Sequence, residues 1–313
     1  MLSALACAYL GIPESRIAWL DLGYSSFVIA HLLGAEHHDL GVPNSQPLCP
    51  LVFLDQPNGI EWLSGWFERL FARWDLKLRE RAFEDFTDAL RKAQREGVRT
   101  LSELRSFIYG GDEDRERIRR ILQHYISYWG HLFNGKPPAD SKPRVIIYET
   151  QNLMGLGINK QASAPAIELI LQNILSNLDG KPSWIFADEF WNLIGDDISA
   201  PWLFTAIRSF RRLNSGFVGC SQSTVEIAAS PYCNLLLESM LGKVFLPNYE
   251  VRNAYVREAY YKLGLNPHET TIISNASHRR APLHPRARRG RSGDMRAHRI
   301  HRRATGTTGP QRI

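Results

Sequence analysis

Cysteine is scarce: the 313 residues contain four, Cys7, Cys49, Cys220 and Cys233, with no C-x-x-C pair and no Cys/His cluster. Such spacing excludes both a zinc site and a disulfide framework, and it fits a reducing, cytoplasmic compartment. Long apolar runs are also missing. None reaches the ~18 residues of a membrane-spanning helix, so any membrane attachment is expected to be peripheral. The opening MLSALACAYLG has no basic n-region and is followed at once by Glu14 and Arg16, so it reads as a buried helix and not as a secretory signal. Lysine is absent from one stretch. Residues 278–313 hold eleven arginines, no lysine and a single acid, Asp294, a net +10 within an overall +6 that leaves the other 277 residues at −4. The global charge therefore says little about what the body binds. This tail has no aromatic residue and almost no aliphatic one, so disorder is expected. Two origins remain open for it, a nucleic-acid-binding arm and an out-of-frame translation.

What is present suffices for a core: 44% of residues are hydrophobic and 11% aromatic, enough for one large α/β domain or two small ones. The first ten residues read as a helix and RIAWLD (16–21) as a strand ending in an acid. A long helical stretch follows Asn58. It opens with Trp62, Trp66, Phe67, Leu70, Phe71 and Trp74 at helical spacing, a face that suits core better than a docking stripe. Phe83, Phe86, Leu90 and Ala93 mark a second helix, TLSE (100–103) is a capping box that starts a third, and Ile118, Ile121, Leu122, Tyr125 and Trp129 mark a fourth.

From residue 143 strands and helices alternate: PRVIIYE (143–149), a helix with Pro165 near its first turn, SWIFAD (183–188), helix 200–213, GFVGCS (216–221), helix 231–241 and KVFL (243–246). Alternation of this kind predicts a parallel sheet covered by helices on both faces. The expected layout is a sheet domain in two segments, 1–57 and 143–277, with an all-helical insertion at 58–142 and the basic tail at 278–313.

The sharpest candidate site is Asp188-Glu189, at the carboxyl end of the apolar run Trp184 to Ala187, where parallel sheets place their ligand crevice. In P-loop NTPases such an Asp helps hold Mg²⁺ and a following Glu can orient or deprotonate water. The plainer alternative makes Asp188 the cap of a helix starting at Phe190. One strand later Gln222 supplies an amide able to sense a γ-phosphate. Between them lie Arg208, Arg211 and Arg212, followed by Asn214; they read either as a solvated basic face or as guanidinium groups that contact phosphate, in this site or a neighbouring subunit's. No G-x-x-x-x-G-K-[ST] occurs, and neither Gly110-Gly111 nor Gly155-Leu156-Gly157 is followed by Lys-Ser or Lys-Thr. H-E-x-x-H and G-x-S-x-G are absent as well.

The ordered series DGKPSWIFADEFWNLI (179–194), LFTAIRSFRRLNSGFVGCSQS (203–223), LLESMLGKVFLPN (236–248) and KLGLNPHETTII (262–273) resembles the motor domain of the TrbE/VirB-type conjugal-transfer ATPases of type IV secretion. RIAWLDLGYSSFVIAHLLGAEHHDLG (16–41) is similar to the strand and helix that follow their phosphate-binding loop, and Leu48-Cys49-Pro50-Leu51 to the step after it. The resemblance covers Met1 to about Ser277. It implies a RecA-like P-loop NTPase fold, ATP and Mg²⁺ as ligands, self-association as a dimer or hexamer, contact with other subunits of a type IV secretion inner-membrane complex, and a place at the inner face of the cell membrane. By position it makes Asp188 and Glu189 the Walker B acids, with Asp188 on the metal, Gln222 the glutamine of the next strand end, and Arg211 the arginine before the Asn. It also implies a fragment that begins just after the phosphate-binding loop. A DNA-pumping translocase of the FtsK/HerA kind and a non-enzymatic scaffold subunit are the competing expectations; basic DNA-facing loops would mark the first, and a lack of ATP binding the second.

Overall fold

A buried strand needs apolar residues on both faces, and RIAWLD, VIIYE and SWIFA have them. In the computed structural model, which describes residues 2–42, 45–135, 143–154, 160–190, 196–240 and 242–275, these runs become the middle of a five-stranded parallel sheet ordered β2-β3-β1-β4-β5. The strands are β1 (Arg16–Asp21), β2 (Glu36–Asp39), β3 (Val145–Glu149), β4 (Ser183–Ala187) and β5 (Ser215–Gly219). Register is set by pairs such as Leu20 with Tyr148 on one side and with Ala187 on the other. Alternation splits β1 cleanly. Ile17 and Trp19 face a small core with Ala6 of helix α1 (Leu2–Leu10) and Ala30 of helix α2 (Phe27–Leu33), while Ala18 and Leu20 face the main core.

That main core also contains the helical block. Helices α3 (Gly59–Ala72), α4 (Glu80–Arg95), α5 (Leu101–Ser106) and α6 (Glu113–Phe133) bring Trp66, Phe67, Phe71, Phe86, Tyr125 and Phe133 together at 3% exposure or less. The aromatic stripe on α3 is thus core, as its spacing predicts: Trp66 and Phe67 are buried, and Trp62 and Trp74 pack against the cluster. The capping box at Thr100 forms with both of its hydrogen bonds, to and from Glu103.

Three expectations need correction. Residues 243–246 form no strand. Phe245 turns inward onto Tyr260, with ring centroids 5.5 Å apart, while Val244 and Leu246 stay 75% and 56% exposed. The fifth strand is instead β2, a polar EHHD edge strand with no apolar run to announce it. Pro165 lies at the sixth residue of helix α8 (Lys160–Ser176), which follows the short helix α7 (Gln151–Met154), so its missing N–H falls within the hydrogen-bond ladder and not in the first turn. The carbonyl that residue 165 would have bonded, that of Gln161, accepts from the Tyr125 hydroxyl of α6, and the Trp66 indole donates to the Pro165 carbonyl at 3.2 Å. The tail 278–313 and Gly155 to Gly157 lie outside the described residues.

Candidate functional site

Because the strands are parallel, their terminal acids gather at one edge: Asp21 from β1, Asp39 from β2, Glu149 from β3 and Asp188-Glu189 just beyond β4. They do different things there. Asp21, fully buried, accepts from the Ser26 amide and hydroxyl at 2.8 and 2.7 Å and from the Ser25 hydroxyl at 2.5 Å. Glu149 accepts from the backbone amides of Gly23 (3.3 Å), Tyr24 (2.6 Å) and Gln151 (2.6 Å). Together these two carboxylates hold the turn after β1, which runs through left-handed backbone at Gly23 and Tyr24 (φ 86° and 56°). Asp39 accepts from the Tyr24 hydroxyl at 2.7 Å and from Asn152 at 3.1 Å.

Asp188 is bound far more loosely. Its carboxylate meets the Ser25 hydroxyl at 3.4 Å and the next residue's amide at 3.2 Å. Burial, with the Asp21 and Glu189 carboxylates close by, pushes it above the usual aspartate range. A cation placed beside it would favour its ionised form. The backbone around it is fixed: the Asp188 amide donates to the Leu20 carbonyl at 2.9 Å, and the Phe190 amide to the Cys220 carbonyl at 2.7 Å. Between them Glu189 is buried in a left-handed conformation, φ 45°, of the kind that clusters at functional sites. The Phe190 ring fits because Gly219 has no side chain; a Cβ there would lie 2.9 Å from the ring. The plainer role for Asp188, capping a helix after Phe190, falls on residues 191–195, outside those described.

The end of β5 is laced to this turn, since the Cys220 amide donates to the Ala187 carbonyl at 2.9 Å. Burial, reinforced by the Asp188 and Glu189 carboxylates, lifts the Cys220 thiol to about 11, which leaves it unreactive at neutral pH. Two residues on, Gln222 is exposed at the same edge, before helix α10 (Thr224–Ala229), which is capped by the Ser223 hydroxyl. The structure therefore brings Asp188, Glu189 and Gln222 to one edge.

Arg211 is at the other one. Helix α9 (Ala200–Arg212) runs back along the sheet, and Asn214, in left-handed backbone (φ 54°), turns the chain into β5 while its side chain donates to the Gly180 carbonyl at 3.0 Å. Arg208, Arg211 and Arg212 are exposed. A five-residue strand spans about 16 Å, so Arg211 and the acids of its own chain lie at opposite ends of β5. The acid ending β1 was visible in the sequence, but not what Asp21, Glu149 and Ser25 do together; the available signal was an acid closing β1, β2 and β3, each followed within two residues by Gly or Thr.

Oxygen donors are what a hard cation such as Mg²⁺ takes, and Asp188 with the Ser25 hydroxyl supplies them. A triphosphate fits less well, because the 313 residues contain no glycine-rich loop with Lys-Ser or Lys-Thr to wrap it, and Gly110-Gly111 sits between α5 and α6 in the helical block.

No family model matches the chain. Among known proteins it is 26% identical over 287 residues to the second portion of a probable conjugal transfer protein TrbE from Sinorhizobium fredii (strain NBRC 101917 / NGR234), covering 90% of this chain and 42% of that protein. To the conjugal transfer protein TrbE of Rhizobium radiobacter it is 24% identical, over 88% of this chain and 34% of that one. The chain thus spans less than half the length of these relatives. Of solved structures, VirB4 of Thermoanaerobacter pseudethanolicus superposes with a TM-score of 0.68 at 18% identity, over 87% of this chain and 80% of that one. The fold is the RecA-like P-loop NTPase architecture, a parallel sheet with helices.

Proposed function

We propose that this chain, a relative of the TrbE and VirB4 proteins of conjugal transfer and type IV secretion, is the acid-bearing portion of an ATP-driven motor subunit. One observation carries the reading. Asp39 and the two acids that hold the turn after β1 each accept at least one hydrogen bond of 2.7 Å or less, whereas Asp188, at the same edge, accepts two among the described residues, both longer than 3 Å. Magnesium held there would offset phosphate charge, with Asp188 and Ser25 as the oxygens of this chain that bind it. Glu189 orients or deprotonates the attacking water, and Gln222 senses the γ-phosphate. Arg211, at the far edge from its own acids, serves the site of a neighbouring copy in a dimer or hexamer. Residues 1–57 and 143–277 form the motor fold and 58–142 its helical insertion. The subunit works in the cytoplasm, peripheral to the inner face of the cell membrane and against other secretion subunits, with the arginine-rich sequence 278–313 as a segment for contact with nucleic acid.

The test uses the chain alone and the chain joined to a segment that carries G-x-x-x-x-G-K-[ST]. The 313 residues alone should show no Mg²⁺-dependent ATP turnover, and the joined protein should. In the joined protein Glu189→Gln should lower turnover by about 100-fold or more while leaving ATP affinity within about twofold. Equal loss of binding and turnover would remove Glu189 from the chemistry, and turnover by the 313 residues alone would overturn the reading.

A further inference from the structure

Where α3 meets α8 and the start of α9, a second set of charges comes together, and two of its members are almost completely buried. Arg73, where α3 ends, is 3% exposed at its side chain, and Glu168 of α8 is 2% exposed. The Arg73 guanidinium grips Asp196 with two parallel hydrogen bonds, 2.8 and 2.6 Å, and donates to the Ser199 hydroxyl at 2.6 Å. That hydroxyl in turn donates to Glu168, whose other oxygen accepts from Arg69 at 2.8 Å. Two cations and two carboxylates thus close a network across three elements: α3 of the helical block, α8 on the sheet, and the start of α9.

Ser199 is what makes this more than packing. It is the residue before the first helical turn of α9, where a serine normally spends its hydroxyl on capping, and it makes no side-chain cap bond. Its hydroxyl is committed to Arg73 and Glu168 instead. The first amides of α9 are met by backbone carbonyls held in the same network, Ala200 to Asp196 at 2.9 Å and Leu203 to Ser199 at 3.0 Å. One turn in, Trp202 lies with its ring centre 5.7 Å from the Arg69 guanidinium. Buried ion pairs contribute little net stability compared with apolar residues of the same shape, and their best-attested use is to fix register.

We infer that Arg73 is a positioning residue that fixes where helix α9, which carries Arg208, Arg211 and Arg212, begins, so that the helical block sets the placement of those arginines. The bidentate guanidinium is required because it alone meets both Asp196 oxygens and Ser199 in one plane. The inference stands apart from nucleotide chemistry and can fail without touching the reading of Asp188 and Glu189.

The experiment compares the 313-residue chain with its Arg73→Lys, Arg73→Met and Asp196→Asn variants, labelled with 5-fluorotryptophan for ¹⁹F spectra and followed by hydrogen exchange. Each variant should shift the Trp202 resonance and speed exchange at Ala200 and Leu203 by at least about tenfold, with Trp19 and Trp184 resonances and the amides of α6 unchanged. Asp196→Asn keeps the side-chain volume and serves where Arg73→Met fails to fold. Uniformly faster exchange in all helices, or an unmoved Trp202 resonance, would reduce Arg73 to a general stabiliser and overturn the inference; so would full rescue by Arg73→Lys.

Discussion

The helical block and the carboxyl edge of the sheet are both buried, and they bury opposite things. In the block, Trp66, Phe67, Phe71, Phe86 and Tyr125 interlock, with Phe67 and Phe86 ring centres 5.1 Å apart and nearly perpendicular. At the edge the buried groups are Asp21, Glu149 and Glu189, in turns that run through left-handed backbone. Removing aromatic surface from water is favourable and needs no partner, whereas each buried carboxylate costs free energy unless donors surround it. Among the described residues, Asp21 and Glu149 each have three such donors, and Asp188 has two at longer range. Stability is therefore expected to reside in the block, and the proposed cation site lies where the sheet gives a carboxylate few donors among the described residues.

The largest test of that contrast is Trp66→Ala. Trp66 is fully buried and hydrogen-bonded to Pro165, so its truncation should cost about 4 kcal/mol in denaturant unfolding. A cost of less than about 1 kcal/mol would mean that the block is not where stability is stored. Glu149→Ala should cost less, about 2 to 3 kcal/mol, because it strands three backbone amides. Its mark is local: exchange at Gly23 and Tyr24 should accelerate more than exchange in α3 or α6, and equal acceleration would dissolve the distinction between the regions. Asp188→Asn is the smallest and has the opposite sign. The folded pKa of Asp188 lies above its unfolded value, so ionised burial destabilises the fold at neutral pH, and stability returns as pH falls through the window between the two. The variant should therefore raise Tm by roughly 1 to 2 °C at pH 7, with the gain vanishing as pH approaches 3.8. Magnesium should raise the Tm of the wild type and not of the variant. A fall in Tm at pH 7 would show Asp188 to be a satisfied structural acid like Asp21.

Helices with a one-sided apolar stripe were legible because burial imposes a 3.6-residue period on them, and α3, α4 and α6 begin and end within a few residues of where that period places them. The strands β1, β3 and β4 were legible for a different reason, being apolar throughout. The ends of the sheet were not. Edge strand β2 is built from Glu36, His37, His38 and Asp39, where a His38 ring stacked 5.5 Å from Tyr148 replaces the apolar signal. The segment 243–246 has strand composition and no strand beside it among the described residues; pairing is a property of the neighbour as much as of the segment. At the site, Asp188, Glu189 and Gln222 were readable because strand ends set their place. Arg211 was singled out by the resemblance, as the arginine before the Asn, which does not say that α9 carries it back to the opposite edge.

The proline in α8 limits how this protein can be taken apart. A helix that cannot complete its own ladder has borrowed the missing proton from a tyrosine 36 residues earlier in the chain, so α8 and α6 are no longer separable modules. Excising the helical block to obtain a minimal sheet domain would take the Tyr125 hydroxyl from the Gln161 carbonyl and the Trp66 indole from the Pro165 carbonyl at once. Exchange of the block between related chains is subject to the same condition: a donor block has to bring both groups with it.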